Sequence, residues 1–189
     1  MRALRMSDYS KKERLLMLDL AKNAIRSQLN HVSLDIPSIP PILRKKRACF
    51  VTLTVDGVLR GCIGHILPIQ ELYKDIIENA KSTAFDDPRF PPVLQDELDH
   101  LNIEISILTI PKPFVYKTIE ELLGYLAKEK PGVILSKCPY QATFLPAVWD
   151  ELPDPQSFLT NLSLKAGLPA DAWKHGANIQ CYRALKITD

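Results

Sequence analysis

Charge imbalance, long apolar runs, paired cysteines and glycine are all scarce in this sequence, and each scarcity excludes something. The 24 Lys+Arg and 22 Asp+Glu leave a net charge of +2, which gives no general attraction to nucleic acid or to an anionic membrane. No uninterrupted apolar run approaches the ~18 residues that suggest a membrane span. The opening MRALRMSDYSKKERLL has neither the apolar core nor the small-residue cleavage site of a secretory signal. The four cysteines, at 49, 62, 138 and 181, form no CxxC pair. That argues against a zinc ribbon or thioredoxin-like site and reads as free thiols in a cytoplasmic protein. His31, His100 and His175 have no companions at ligand spacing, so neither a metal nor a cofactor is expected. Glycine occurs 7 times against 15 prolines, yet Gly57, Gly61 and Gly64 crowd into one short stretch, which marks special backbone geometry.

What is present suits a globular protein: 189 residues, 46% hydrophobic and 24% charged, long enough to bury roughly 70% of the surface of the unfolded chain. Ser10-Lys11-Lys12-Glu13 is a capping box, and Leu15, Leu18, Ile25 and Leu29 predict a helix over 10–29. Pro37, Pro40 and Pro41 predict an extended connector. Residues 48–66 read as a hairpin turning at Asp56-Gly57, a pair suited to a type I′ turn. A straight register sets Val55 opposite Val58, Leu53 opposite Arg60, Val51 opposite Cys62 and Cys49 opposite Gly64. Arg60 and Cys62 then share the aliphatic face of the hairpin. Pro68 is expected to open a helix to about Ala84, with Ile69, Leu72, Ile76 and Ala80 inward. Alternation over 101–109 predicts a strand with Asn102, Glu104 and Ser106 on its polar face. A second capping box at Thr118 predicts a helix to about Lys128, and 132–136 and 142–149 read as strands. Asp154-Pro155 predicts a helix stopping at Gly167, and 178–187 reads as one closing strand. The fold class is α+β: two lobes of mostly antiparallel sheet with helices on one face, built on a duplicated helix-strand-strand-helix-strand order. The chain is one domain over 1–189, with lobe 1 at about 10–110 and lobe 2 at about 115–189.

Leu59-Arg60-Gly61-Cys62-Ile63-Gly64 is the first candidate site. A guanidinium near a thiol favours the nucleophilic thiolate, and bare glycine backbone lets a ligand approach. The competing reading is a buried cysteine beside a bulge. Phe85–Pro92 (FDDPRFPP) is the second: Asp86 or Asp87 as base or acceptor and Arg89 as anion clamp, against an ion-paired turn. His65 could shuttle a proton for Cys62, but on a straight strand the two point to opposite faces. The basic run 44–47 has no interleaved aromatic residues to stack bases, so nucleic acid is not expected as a partner. Trp149 and Trp173 read as core residues.

FVTLTVDGVLRGCIGHI, FDDPRFPPVLQDEL, LNIEISILT and ATFLPAVWDELPDPQSFLTNLSLKAGLPADAW together resemble the AMMECR domain family, whose bacterial members are called AmmeMemoRadiSam system protein A. The resemblance covers nearly the whole chain. It implies a two-lobed α+β fold with the LRGCIG segment lining a cleft between lobes, and a shared pathway with Memo-family and radical-SAM proteins. It implies no established reaction. The family motif falls here on Arg60, Gly61, Cys62, Gly64, Asp87, Pro88, Arg89 and Phe90. Two departures stand out: His65 where many members carry Thr or Ser, and a shorter 130–140 stretch containing Cys138. Two functions follow. In one, the protein is an enzyme or enzyme component that binds a small anionic ligand through Arg60, Gly61, Gly64, Asp87 and Arg89, with Cys62 as nucleophile. In the other, it is a non-catalytic scaffold acting with Memo-family and radical-SAM proteins.

Overall fold

The computed structural model describes residues 5–188, which divide into two compact units. The first runs to Ile110 and takes back the chain's end from Leu185; the second is Pro111–Ala184. The elements of the first are α1 (Lys11–Leu29), β1 (Cys49–Val55), β2 (Val58–Gly64), α2 (Leu72–Phe85) and β3 (Leu101–Leu108). Those of the second are β4 (Lys112–Pro113), α3 (Ile119–Glu129), β5 (Gly132–Lys137), β6 (Tyr140–Phe144), α4 (Pro155–Lys165) and β7 (Asn178–Tyr182). The last strand, β8 (Ala184–Thr188), joins the first sheet, whose order is β2-β1-β3-β8; the second sheet is β4-β7-β5-β6.

The duplicated order is therefore observed. Helix-strand-strand-helix-strand occurs twice, and in each sheet the first strand of the unit sits between the other two (β2-β1-β3 and β6-β5-β7). The expected single closing strand is two: it breaks at Arg183, and its second half pairs in the first sheet rather than the second.

Local signals account for most boundaries. Ser10 accepts from the Glu13 N–H while Glu13 returns a bond to the Ser10 N–H, which starts α1. Thr118 and Asp154 cap α3 and α4 through the N–H groups of Glu121 and Ser157. Gly167, at φ +75°, ends α4. Asp56 and Gly57 both take positive φ, 51° and 79°, as a type I′ turn requires. Two expectations fail. The second helix starts at Leu72, not Pro68, and Ile69 is 58% exposed rather than inward. The strand over 142–149 ends at Phe144, because Pro146 opens a short 3-10 turn that runs to Asp150.

Each unit has its own core. In the first, Cys49, Val51 and Leu53 of β1 and Ile103, Ile105 and Ile107 of β3 meet the apolar stripes of α1 and α2. In the second, Trp149 stacks on Phe158 at 3.8 Å and 3°, and both tryptophans are core residues.

The hairpin departs from a straight register. Val55 pairs with Val58 and Thr54 with Leu59, but Leu53 pairs with Gly61, Thr52 with Cys62, Val51 with Ile63 and Phe50 with Gly64. Arg60 is the extra residue of a β-bulge. The slip moves Gly61 and Ile63 to the helix-covered face and turns Cys62 over to the other face with Thr52, reversing the expected placement. The reason is physical: a straight register would set the Arg60 guanidinium against Leu53 in the core, and burying an unpaired charge is costly. Gly61 fits where α2 presses on the sheet, since a Cβ there would lie 2.6 Å from the Thr83 carbonyl oxygen.

Gly61→Ala should therefore lower stability by about 2 kcal/mol through overpacking. Gly124→Ala, in the interior of α3 with open space around it, should raise it by about 1 kcal/mol. Urea unfolding of the two variants checks both signs, and a neutral Gly61→Ala would contradict the close contact.

Candidate functional site

Cys62 lies on β2, one of the two edge strands of the first sheet, half-buried. Its backbone faces outward and is held by the following loop. The Cys62 N–H donates to Asp87 Oδ2 at 2.9 Å, and Arg89 Nη2 donates to the Cys62 carbonyl at 3.1 Å. Asp87 and Arg89 form a two-toothed ion pair, with Nε to Oδ1 at 2.9 Å and Nη2 to Oδ2 at 2.7 Å. Acid and base together cap the open edge at Cys62, where another strand would otherwise add. The Arg89 guanidinium, then the N–H groups of Cys62 and Arg89, hold the buried Asp87 carboxyl far below the usual range against the opposing effect of burial. Arg89 Nη1 has no hydrogen-bond partner among the described residues; the guanidinium stands 5.5 Å from the Phe90 ring centroid, and the side chain is 55% exposed.

Arg60 is fully engaged within the chain. It grips Glu97 through Nε (2.7 Å) and Nη2 (3.0 Å) and donates to the carbonyls of Pro91 and Pro92 at 2.8 and 3.2 Å. It is a staple from the bulge to the proline-rich loop, and it lowers the Glu97 carboxyl's pKa by hydrogen bonding. The bare backbone of the two glycines is likewise occupied: Thr83 lies over Gly61, and the Phe50 ring covers Gly64.

On the face of the sheet away from α1 and α2, register partners share a side. Thr52 stands beside Cys62 on one flank and Glu104 on the other. The Thr52 hydroxyl donates to Cys62 Sγ at 3.3 Å. Lys186 Nζ reaches Glu104 Oε2 at 3.3 Å, and Ser106 donates to Glu104 at 3.4 Å. A polar row thus crosses all four strands: Cys62, Thr52, Glu104, Lys186. Sequence reasoning placed Glu104 and Ser106 on a polar face but missed the row, because the bulge hid that Cys62 shares a face with Thr52 and no local signal showed that β8, with Lys186, joins this sheet.

The other cysteines differ. Burial, then the Asp75 charge, pushes the Cys49 thiol well above its usual value, and burial pushes Cys181 up to about 12. Both remain neutral thiols. Cys138 is exposed.

His65 points away from Cys62, toward α2, where Nδ1 lies 2.7 Å from Asp75. It is no shuttle for Cys62. The basic run 44–47 is a largely solvated lead-in to β1. A recess of about 430 Å³ in the second unit, lined by Phe114, Tyr116, Ser136, Asn178 and Gln180 among others, carries no charged side chain and no cysteine or histidine. Among the described residues, no cluster of three or more His, Cys, Asp or Glu side chains is placed to hold a metal ion, and no helix is long and apolar enough to cross a membrane.

The AMMECR1 family model matches residues 18–187. The chain belongs to the AMMECR1 family. Protein Mbar_A1807 of Methanosarcina barkeri is 41% identical over 169 residues, covering 86% of this chain and 83% of that one. A protein of Thermofilum pendens is 38% identical, covering 94% and 89%. The crystal structure of the uncharacterized protein PH0010 from Pyrococcus horikoshii is similar, with a TM-score of 0.82, 36% identity and coverage of 90% and 88%. This AMMECR1-family chain therefore shares its fold with a solved relative along nearly its whole length.

The loop clamp has a pH signature. Asp87 has a folded-state pKa below the ordinary ~3.9, so its contribution is complete above the carboxylate range and is lost as pH falls toward that depressed value. Asp87→Asn should destabilise the protein by about 2 kcal/mol at neutral pH, with the gap from wild type closing below about pH 4. Urea unfolding at neutral and acid pH measures it, and a gap independent of pH would exclude the ionic clamp.

Proposed function

We propose that this AMMECR1-family chain is an enzyme, or a component of one, that takes a small anionic ligand on the polar face of its first sheet with Cys62 as nucleophile. The observation that carries this reading is the fixing of Cys62. Both of its peptide groups are clamped by Asp87 and Arg89, and a hydroxyl donor is aimed at its sulfur. A nucleophile needs that kind of positioning. Nη1 of Arg89, which makes no hydrogen bond among the described residues, is the group available to an anion; Lys186 in the same row is engaged by Glu104. Arg60 supports the site by holding the 91–97 loop, and Gly61 and Gly64 support it by admitting Thr83 and Phe50.

A second reading has the same face as a docking surface without chemistry, handing a substrate or peptide between Memo-family and radical-SAM proteins. It is favoured by the internal engagement of Arg60, which leaves few donors for turnover. Co-purification with purified proteins of those two families tests it; recovery of neither counts against it.

The cysteine reading is tested by site-resolved alkylation across pH, comparing neutral iodoacetamide with anionic iodoacetate. Cys62 should label faster than the exposed Cys138 below a free thiol's ~8.5. Its iodoacetate-to-iodoacetamide ratio should exceed that of Cys138 and fall in Arg89→Gln. Labelling of Cys62 only on unfolding would remove the nucleophile. Full turnover in Cys62→Ser, once a substrate is in hand, would do the same.

A further inference from the structure

A second polar cluster lies on the helix-covered side of the first sheet, at the end of β2. Asp75 of α2 has no solvent exposure. Around its carboxylate stand the Cys49 N–H at 2.8 Å, Asn79 Nδ2 at 3.1 Å, Gln70 Nε2 at 3.2 Å and His65 Nδ1 at 2.7 Å. An ionised carboxylate only accepts, so His65 Nδ1 carries a proton and donates it. The Asn79 amide 3.4 Å from Nδ1 is then a contact between two donors. In the neutral ring the lone pair sits on Nε2. The His65 side chain is 32% exposed, and its Nδ1 edge is turned to the wholly buried Asp75. Nε2 has no hydrogen-bond partner among the described residues.

We propose that His65, oriented by Asp75, is a general base at a second reactive centre that hydrolyses neutral acyl esters. A base whose tautomer and orientation are set by a buried carboxylate is the arrangement that activates an oxygen nucleophile. The charges facing it decide the substrate class. Asp75, Glu78 (joined to the cluster through Gln70) and Glu71 are acidic. Lys74 is paired with Glu71 at 2.8 Å, and Lys46 stands across a backbone bridge from Glu71. The Asp75 carboxylate against the ring, with Glu78 behind Gln70, disfavours an anion there. The turn from His65 to Gln70 also exposes Leu67 and Ile69, at 57% and 58%, an apolar shoulder for an acyl chain. In the reaction, Nε2 takes a proton from water and the water oxygen bonds to the ester carbonyl carbon. The carbon–oxygen bond to the alcohol then breaks, and the imidazolium proton passes to the departing oxygen. This centre is independent of the Cys62 reading.

The test uses p-nitrophenyl butyrate and the full chain in a Cys62→Ser background, so that attack by that thiol is not counted. Hydrolysis should rise with pH to a plateau. It should fall about 100-fold in His65→Gln and at least ~10-fold in Asp75→Asn, which releases the tautomer. Long-range proton–nitrogen NMR should find the neutral His65 proton on Nδ1. Unchanged hydrolysis in His65→Gln, whose amide can still donate to Asp75, would overturn the proposal, as would a neutral His65 protonated on Nε2. Should Asp75→Asn not fold, the wild-type tautomer and the His65→Gln rate decide the matter alone. The alkylation behaviour of Cys62 is read separately, so the two centres stand or fall apart.

Discussion

The first unit depends on how closely α2 approaches the β1–β2 hairpin. Asp75, Asn79 and Thr83 are spaced by four along α2, all at 0–1% exposure, and each bonds to strand backbone. Asp75 accepts from the Cys49 N–H, and Asn79 donates to the Cys49 carbonyl. Thr83 accepts from the Ile63 N–H and donates to the Val51 carbonyl, standing between the two strands. Buried polar groups persist only when satisfied, and here the backbone satisfies them. The approach needs a residue without a side chain under Thr83, which Gly61 supplies, and a bulge at Arg60 to bring Gly61 to that face.

The bulge then sets what surrounds Cys62 on the opposite face. Displacing Arg60 from the register sends its guanidinium to Glu97 and the carbonyls of Pro91 and Pro92, which anchors the loop that follows Arg89. That loop returns Asp87 and Arg89 to the backbone of Cys62. Cys62 is thus held from three directions: β1 through Thr52, the loop through Asp87 and Arg89, and α2 through the Thr83 bond to its neighbour Ile63. A free thiol on an edge strand would ordinarily be among the less restrained groups of a sheet. Here its position follows from a chain of contacts that begins in the core.

Much of the architecture was legible because local signals and the global fold agree: the capping box at Ser10, the Thr118 cap (where Glu121 returns its bond to the Lys117 N–H and not to the N-cap), the Asp56-Gly57 turn, the alternation of β3 and the repeated element order. The register of β2 was not. Both a straight and a bulged hairpin are compatible with the apolar pattern, and the choice is made by α2, a partner distant in sequence. The same tertiary contact explains the second helix. Pro68 is a sound helix opener by propensity, yet residues 68–71 instead fold back so that Gln70 and His65 meet Asp75. Legible in retrospect were the polar residues at 75, 79 and 83, which share helical spacing with the buried Leu72, Ile76 and Ala80. A polar stripe bordering an apolar one is a signal of buried hydrogen bonding rather than of a solvated face. The crossing of β8 into the first sheet had no local signal, since Arg183 breaks a stretch that reads as continuous strand.

The two units share a topology but not a seam. In the second unit, α4 meets its sheet through Phe158, Leu159 and Leu162, with Phe158 stacked on Trp149, and the one buried polar side chain of the helix, Ser163, bonds back to its own Leu159 carbonyl. That helix sends no buried side chain to the strand backbone, its one such bond being from the exposed Lys165 Nζ at its end to the Thr143 carbonyl at 3.0 Å, and its hairpin keeps a regular register from Val133 to Lys137. In the first unit the equivalent helix is tied to the strands by polar side chains, and the hairpin is bulged. Apolar contact tolerates sliding and repacking, whereas hydrogen bonds to specific backbone groups fix a register and leave directed donors and acceptors nearby. The duplicated order therefore accounts for the shared architecture of the two units, and the polar seam of α2 accounts for where the two candidate groups stand in the first, Cys62 on one face and His65 at the strand end.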